Sequence, residues 1–203
     1  MRKTALVTLT LLLLAGCMTV PSKRYFQIAM APGPEDLTHP WIGKVLYVEP
    51  IRIDPLYDDF RILYRVSPYE LKYYSYDFWA KKPDALVREA VGQYLDKRQG
   101  FNRIVLDVLQ ADPEIVLRAT IRLIEEVDAA QAWFGRLAMD LEFLEFKSGR
   151  GLARHAFDRR LPLTEKKVRY LPAVISTILK DELDKTVAAL AESLKEKGGS
   201  PSP

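Results

Sequence analysis

The sequence predicts a single α/β or α+β domain: a mixed β-sheet of about five to seven strands with two main helices packed on it. Three observations predict it. Two segments carry apolar residues at helical spacing, and several others alternate apolar and polar residues as half-buried strands do. Behind an apolar leader, residues 17–203 leave 187 positions, enough for one domain with its own core and no internal repeat.

The leader comes first. Arg2 and Lys3 precede an uncharged apolar run, Ala5 to Leu14. That run is far short of the roughly 20 residues that span a bilayer as a helix. Followed by the small Ala15 and Gly16, it reads as a signal peptide over residues 1–16. Leu14-Ala15-Gly16-Cys17 resembles the bacterial lipobox. The resemblance implies cleavage before Cys17, a diacylglycerol on its thiol and an N-acyl chain, commonly palmitate, on its freed amine. Cys17 is the only cysteine, so an internal disulfide is excluded, and lipidation removes an otherwise reactive thiol. Acyl chains contribute about 0.8 kcal/mol per buried CH₂, so two or more anchor stably. Met18, not Asp, follows the cysteine, and by resemblance to proteobacterial sorting patterns the anchor belongs in the outer membrane, with the domain facing the periplasm.

Residues 17–24 are the lipidated cysteine and tether, 25–196 the folded domain and 197–203 a disordered tail. From Cys17 to Lys23 the tether reaches at most about 20 Å. Tyr25 to Ile28 reads as a first strand and 31–40, with three prolines, as a loop. Lys44 to Ile53 reads as one buried strand with Pro50 at an edge or bulge, and Asp54 to Asp59 as a turn. Arg61–Val66 and Glu70–Tyr74 form a hairpin around Ser67-Pro68. Lys82-Pro83-Asp84 opens a helix with Leu86, Ala90, Val91, Tyr94 and Leu95 on one face, ended by Gly100. Arg103 to Gln110 is the next strand.

Glu114–Glu125 and Leu137–Phe143 alternate apolar residues against charge, arginines on the first and acids on the second. That complementarity predicts an antiparallel pair with cross-strand ion pairs worth roughly 0.2–1 kcal/mol each. Ser148 to Gly151 turns into a last strand, Leu152 to Leu161. The final helix, Leu171 to Lys195, starts at Pro172 and carries a stripe from Ile175 through Ile178, Leu179, Leu183, Val187 and Leu190 to Leu194.

Charge and motifs exclude several functions. Without Arg2 and Lys3, Lys+Arg falls from 30 to 28 against 27 Asp+Glu, a mature charge of +1 with no basic block, so nucleic acid is not an expected partner. His39 and His155 lack partners at metal-ligand spacing, and no nucleophile elbow or phosphate loop occurs. Glu125-Glu126 and Asp58-Asp59 are adjacent acids that point apart and read as solvated charge. No catalytic residue, metal site or cofactor beyond the acyl chains is expected, and no enzyme.

The informative stretch runs from Leu63 to Pro83 and holds seven aromatic residues. Half-buried strands account for such a run; a partner-facing or lipid-facing patch is the sharper reading. Tyr64-Arg65, Tyr73-Tyr74-Ser75-Tyr76 and Trp79-Ala80-Lys81-Lys82-Pro83 resemble, in that order, the signature of the ABC-type transport auxiliary lipoproteins. This family includes the outer-membrane lipoprotein of paraquat-inducible systems, which work with mammalian-cell-entry (MCE) proteins. After Trp-Ala the pattern has an acid where this chain has Lys81-Lys82.

What the resemblance implies is a non-enzymatic accessory subunit of an ABC transporter that moves lipid between membranes, docked to an MCE-domain protein. Tyr64, Arg65, Tyr76 and Trp79 become candidates for partner contact and Cys17 the membrane anchor. Self-association follows where accessory subunits share the symmetry of ring-forming partners. Two alternatives stay open: a lipid carrier with an acyl-chain cavity between sheet and last helix, and a lipoprotein that activates a cell-wall synthase or serves a secretion machine.

Overall fold

The structure is a computed structural model that describes residues 21–31, 33, 42–129 and 131–198. The signal peptide, Cys17, most of the tether, His39 and residues 199–203 lie outside the described residues. Among the described residues, nine strands and two helices follow one another as β1 (Arg24–Phe26), β2 (Val45–Val48), β3 (Arg52–Ile53), β4 (Arg61–Ser67), β5 (Glu70–Trp79), α1 (Pro83–Lys97), β6 (Arg103–Val105), β7 (Ile115–Asp128), β8 (Trp133–Glu145), β9 (Gly151–Pro162) and α2 (Leu171–Gly198). The α+β class is as expected. The sheet has more strands than the five to seven expected, in part because the segment expected as one strand over Lys44–Ile53 is two, β2 and β3.

β7 organises the sheet. Along one edge it receives three parallel strands in chain order: β2 at Ile115–Leu117, β3 at Thr120–Ile121 and β4 at Glu126–Val127. Its other edge pairs antiparallel with β8, and β8 with β9. β6 lies outside β2, while β5 and then β1 lie outside β4.

Lys44–Ile53, expected as one strand, is two. Bonding to β7 runs to Glu49, whose N donates to Leu117 O at 3.0 Å, breaks at Pro50-Ile51 and resumes from Arg52, with Asp54 N donating to Ile121 O at 3.0 Å, so Pro50 sits at the break. Arg103–Gln110 is likewise shorter than expected. The Asp107 side chain accepts from Leu109 N at 3.0 Å and winds residues 108–110 into a 3₁₀ turn.

The antiparallel pair forms as its charge pattern predicts, with Arg122 and Asp140 at 3.2 Å. Arg118, opposite Glu142, turns instead to Glu49 at 2.9 Å. A register shift between Ile121 and Leu123 makes Arg122 an extra residue in the ladder, and its guanidinium donates to Phe157 O at 2.8 Å.

Both helices pack on the sheet's apolar face. Leu86, Val87, Val91, Tyr94 and Leu95 of α1 meet the core, as do Ile175, Ile178, Leu179, Leu183 and Leu190 of α2. Each such buried side chain contributes about 1.5–3 kcal/mol. Tyr94 Oη donates to Asp184 Oδ1 at 2.8 Å and Arg98 pairs with the same carboxylate, tying the helices together. Gln99, not Gly100, adopts the left-handed conformation that ends α1, at φ 55°. α2 continues through Gly198, so helix occupies the start of the expected tail.

Candidate functional site

The aromatic segment becomes the β4–β5 hairpin, and β4 sets its position by pairing with the end of β7. Tyr64 lies opposite Glu126 and Arg65 opposite Val127. The motif is thereby placed against the adjacent acids Glu125 and Glu126.

Those acids are not solvated. Both are 0% exposed. The reading as surface charge fails for two reasons: the extra residue at Arg122 puts Glu126 opposite Gly135 on the face covered by α2, and on the other face Tyr57, Arg65 and Arg136 close over Glu125. Their side chains do point apart, as neighbours in a strand must.

On one side, Glu125 accepts from Arg65 Nε on Oε1 and from Arg65 Nη2 on Oε2, both at 2.8 Å. Tyr57 Oη adds a bond to Oε2 at 2.8 Å and Arg136 Nη1 one to Oε1 at 3.4 Å. Arg136 in turn forks onto Asp158 at 2.8 and 2.6 Å. Hydrogen bonding to Glu125 raises the Arg65 guanidinium above its ordinary range, and burial pushes the Tyr57 phenol up. A carboxylate held by two cations and a phenol is stable underground, where an unpaired one would not be.

On the other side, Glu126 receives one bond, from Tyr74 Oη to Oε1 at 2.7 Å, and its Oε2 has no partner. Burial, with Asp128 and Asp77 nearby, pushes its pKa up to about 7, against the bond from Tyr74. The rings of Tyr74 and Tyr64 meet at 4.7 Å. Gly135 lies opposite Glu126, and a Cβ there would come within 2.7 Å of Val174 Cγ1, so α2 sits directly on this part of the sheet.

The four expected contact residues therefore fare differently. Arg65 is engaged by Glu125, and Tyr64 is half-buried against Tyr74. Trp79 is 2% exposed, a core side chain whose N donates to Phe60 O at 2.6 Å. Tyr76 is at the surface, 42% exposed. Sequence reading missed Tyr69, which stands 98% exposed at the hairpin turn. Beside that turn, Arg65, Val66, Pro68, Arg136, Asp158 and Arg160 line a surface cleft of about 700 Å³. Lys81 and Lys82, where the family pattern has an acid, pair with Glu89 at 2.6 Å and Asp58 at 2.9 Å.

Elsewhere, His155 Nε2 lies within hydrogen-bond distance, 2.6 Å, of Glu182 Oε2, linking β9 and α2. Among the described residues, no group of three or more His, Cys, Asp or Glu is placed to hold a metal ion. No helix among them is long and apolar enough to cross a membrane.

Comparison with known proteins agrees with this architecture. A crystal structure of protein XCC0632 from Xanthomonas campestris is similar at TM-score 0.72 and 16% identity, covering 88% of this chain and all of that one. A second crystal structure, of an uncharacterized protein, is similar at TM-score 0.66 and 15% identity, covering 83% of this chain and 97% of that one. At these identities the likeness is one of fold. No curated protein matches the chain. The model of the family described as "ABC-type transport auxiliary lipoprotein component" matches residues 26–193, from β1 to the last turns of α2 and through the whole Tyr64-Arg65 hairpin. The chain belongs to the ABC-type transport auxiliary lipoprotein family.

Proposed function

We propose that this protein is a non-enzymatic, lipid-anchored periplasmic subunit that docks an MCE/ABC-type lipid transporter at the outer membrane. The observation that carries the reading is the family match across residues 26–193. In this reading residues 1–16 are removed, Cys17 carries the acyl chains, residues 17–24 tether the domain and 25–196 form the docking module.

Partner contact is proposed at the exposed end of the hairpin. Tyr69 at the turn supplies a large side chain with almost no intramolecular contact, and Tyr76 supplies a second aromatic on β5. Arg65 lines the adjacent cleft but acts mainly by locking β4 to β7 through Glu125. Tyr64 and Trp79 shape the hairpin from within. Self-association belongs to the same reading and would match a ring-shaped partner.

The lipid-carrier alternative asks for an apolar cavity of roughly several hundred Å³. The space between sheet and α2 is instead filled by Ile121, Leu137, Met139, Ile175, Ile178 and Leu183, each fully buried. The test of the docking reading is recovery of the crosslinked full-length protein from cell membranes with identification of its partners. An MCE-domain protein supports it; a cell-wall synthase or secretion component in its place sinks it.

A further inference from the structure

We infer that a strip of β1 and β5, formed by Lys23, Tyr25 and Phe78, rests on the phospholipid headgroups of the membrane that holds the anchor. The inference builds on the proposed lipidation of Cys17.

β1 is a three-residue strand whose pairing with β5 sets Tyr25 directly beside Phe78. Their rings stack at 5.7 Å and 29°, yet Tyr25 remains 63% exposed. Lys23 places its Nζ over the same Phe78 ring, 5.5 Å from the centroid. Two amphipathic or apolar rings capped by an ammonium group are the chemistry of the bilayer interface. Aromatic rings concentrate at headgroup depth, and lysine stems lie along apolar surface while the charge reaches phosphate.

The covalent chain supplies the second argument. Lys23 is six residues from Cys17, which limits its distance from the acylated residue to about 20 Å. The strip therefore begins within about 20 Å of the acylated residue, which keeps it near the bilayer. Phe78 lies opposite Arg61 and Glu70 opposite Ser67, so six residues of β4, about 20 Å at strand spacing, separate the strip from Tyr69 at the turn and keep the proposed partner contact clear of the lipid.

The full-length acylated protein tests this on vesicles of phosphatidylethanolamine and phosphatidylglycerol. Apart from Cys17 the chain has no thiol, so Tyr25→Cys and Lys147→Cys each give one labelling site; Lys147 lies in the β8–β9 turn, and β8 is four strands across the sheet from β1. An environment-sensitive dye at 25 should shift to shorter wavelength and lose most of its emission to brominated lipid, while the dye at 147 should do neither. Acylated protein that floats with the vesicles but leaves both dyes in water would overturn the strip and leave the anchor intact. A dye at 25 that is shielded in cells yet wet on vesicles would assign the strip to a protein partner, also overturning it. Protein that lacks the acyl mass at Cys17 and fails to float refutes the anchor itself. Because Tyr25 is exposed, a folding defect is not expected; Lys23→Glu provides a second readout, a loss of quenching at 25 as the charge is reversed.

Discussion

Arg65 forks onto Glu125 across the seam between β4 and β7, with two N–H···O bonds of 2.8 Å each. Glu125 is completely buried and the Arg65 side chain is 20% exposed, so little water remains to replace the pair. Removing Arg65 leaves the buried carboxylate only Tyr57 and a 3.4 Å bond from Arg136, and breaking such a buried pair costs about 3–5 kcal/mol. Arg65→Ala should therefore lower the unfolding free energy by that amount in urea denaturation. The double variant Arg65→Met/Glu125→Leu should cost less than Arg65→Ala alone. Additive losses would show that the two side chains are not coupled.

Glu126 predicts a pH dependence of the opposite kind from most acids. Its folded pKa is raised from 4.5 to about 7, so the unfolded chain sheds the proton first. Folding stability should fall as pH rises from about 4.5 to 7, by about 3 kcal/mol in all, and level off above that range. Asp158 contributes with the other sign: Arg136 lowers its pKa, so its stabilisation is lost as pH falls through that depressed value. Glu126→Gln isolates the first effect, because only its difference from the natural chain should grow with pH. Parallel stability curves would contradict the assignment.

Much of this was legible in the sequence, and the failures have a common cause. Alternation found β7, β8 and β9, and helical spacing found α1 and α2, since each buries one continuous face. Adjacency made Glu125 and Glu126 read as solvated charge, since neighbours in a strand point apart. One extra residue at Arg122 shifts the inward set of β7, and only the consecutive Leu123-Ile124 hinted at the break. Trp79 was legible as important but not as core, because a half-buried strand and an interface draw on the same aromatic residues. Exposure of Tyr69 depends on where the turn falls, a residue later than Ser67-Pro68 suggested.

Gly135 should be intolerant of any side chain. An added methyl group meets Val174 Cγ1 at 2.7 Å and Leu171 Cδ1 at 3.1 Å. Gly135→Ala is expected to cost about 1–3 kcal/mol in thermal unfolding, as overpacking does. Combining it with Val174→Ala should recover a large part of the loss; no recovery would mean the strain lies elsewhere.

Tyr69 and Trp79 should separate binding from folding. Tyr69→Ala touches nothing buried and should stay within about 0.5 kcal/mol of the natural stability, while weakening partner capture. Trp79→Ala opens a core cavity and should cost about 3–5 kcal/mol, so any lost capture there reports on folding. Stability matched by unchanged capture in Tyr69→Ala would remove the turn from the proposed contact.

The most direct measurement places a photocrosslinking amino acid at position 69 of the full-length protein in cells and identifies what it captures. The docking account predicts an MCE-domain protein, encoded with an ABC permease. Capture of a cell-wall synthase or secretion component, with no transporter subunit among the products, would contradict it.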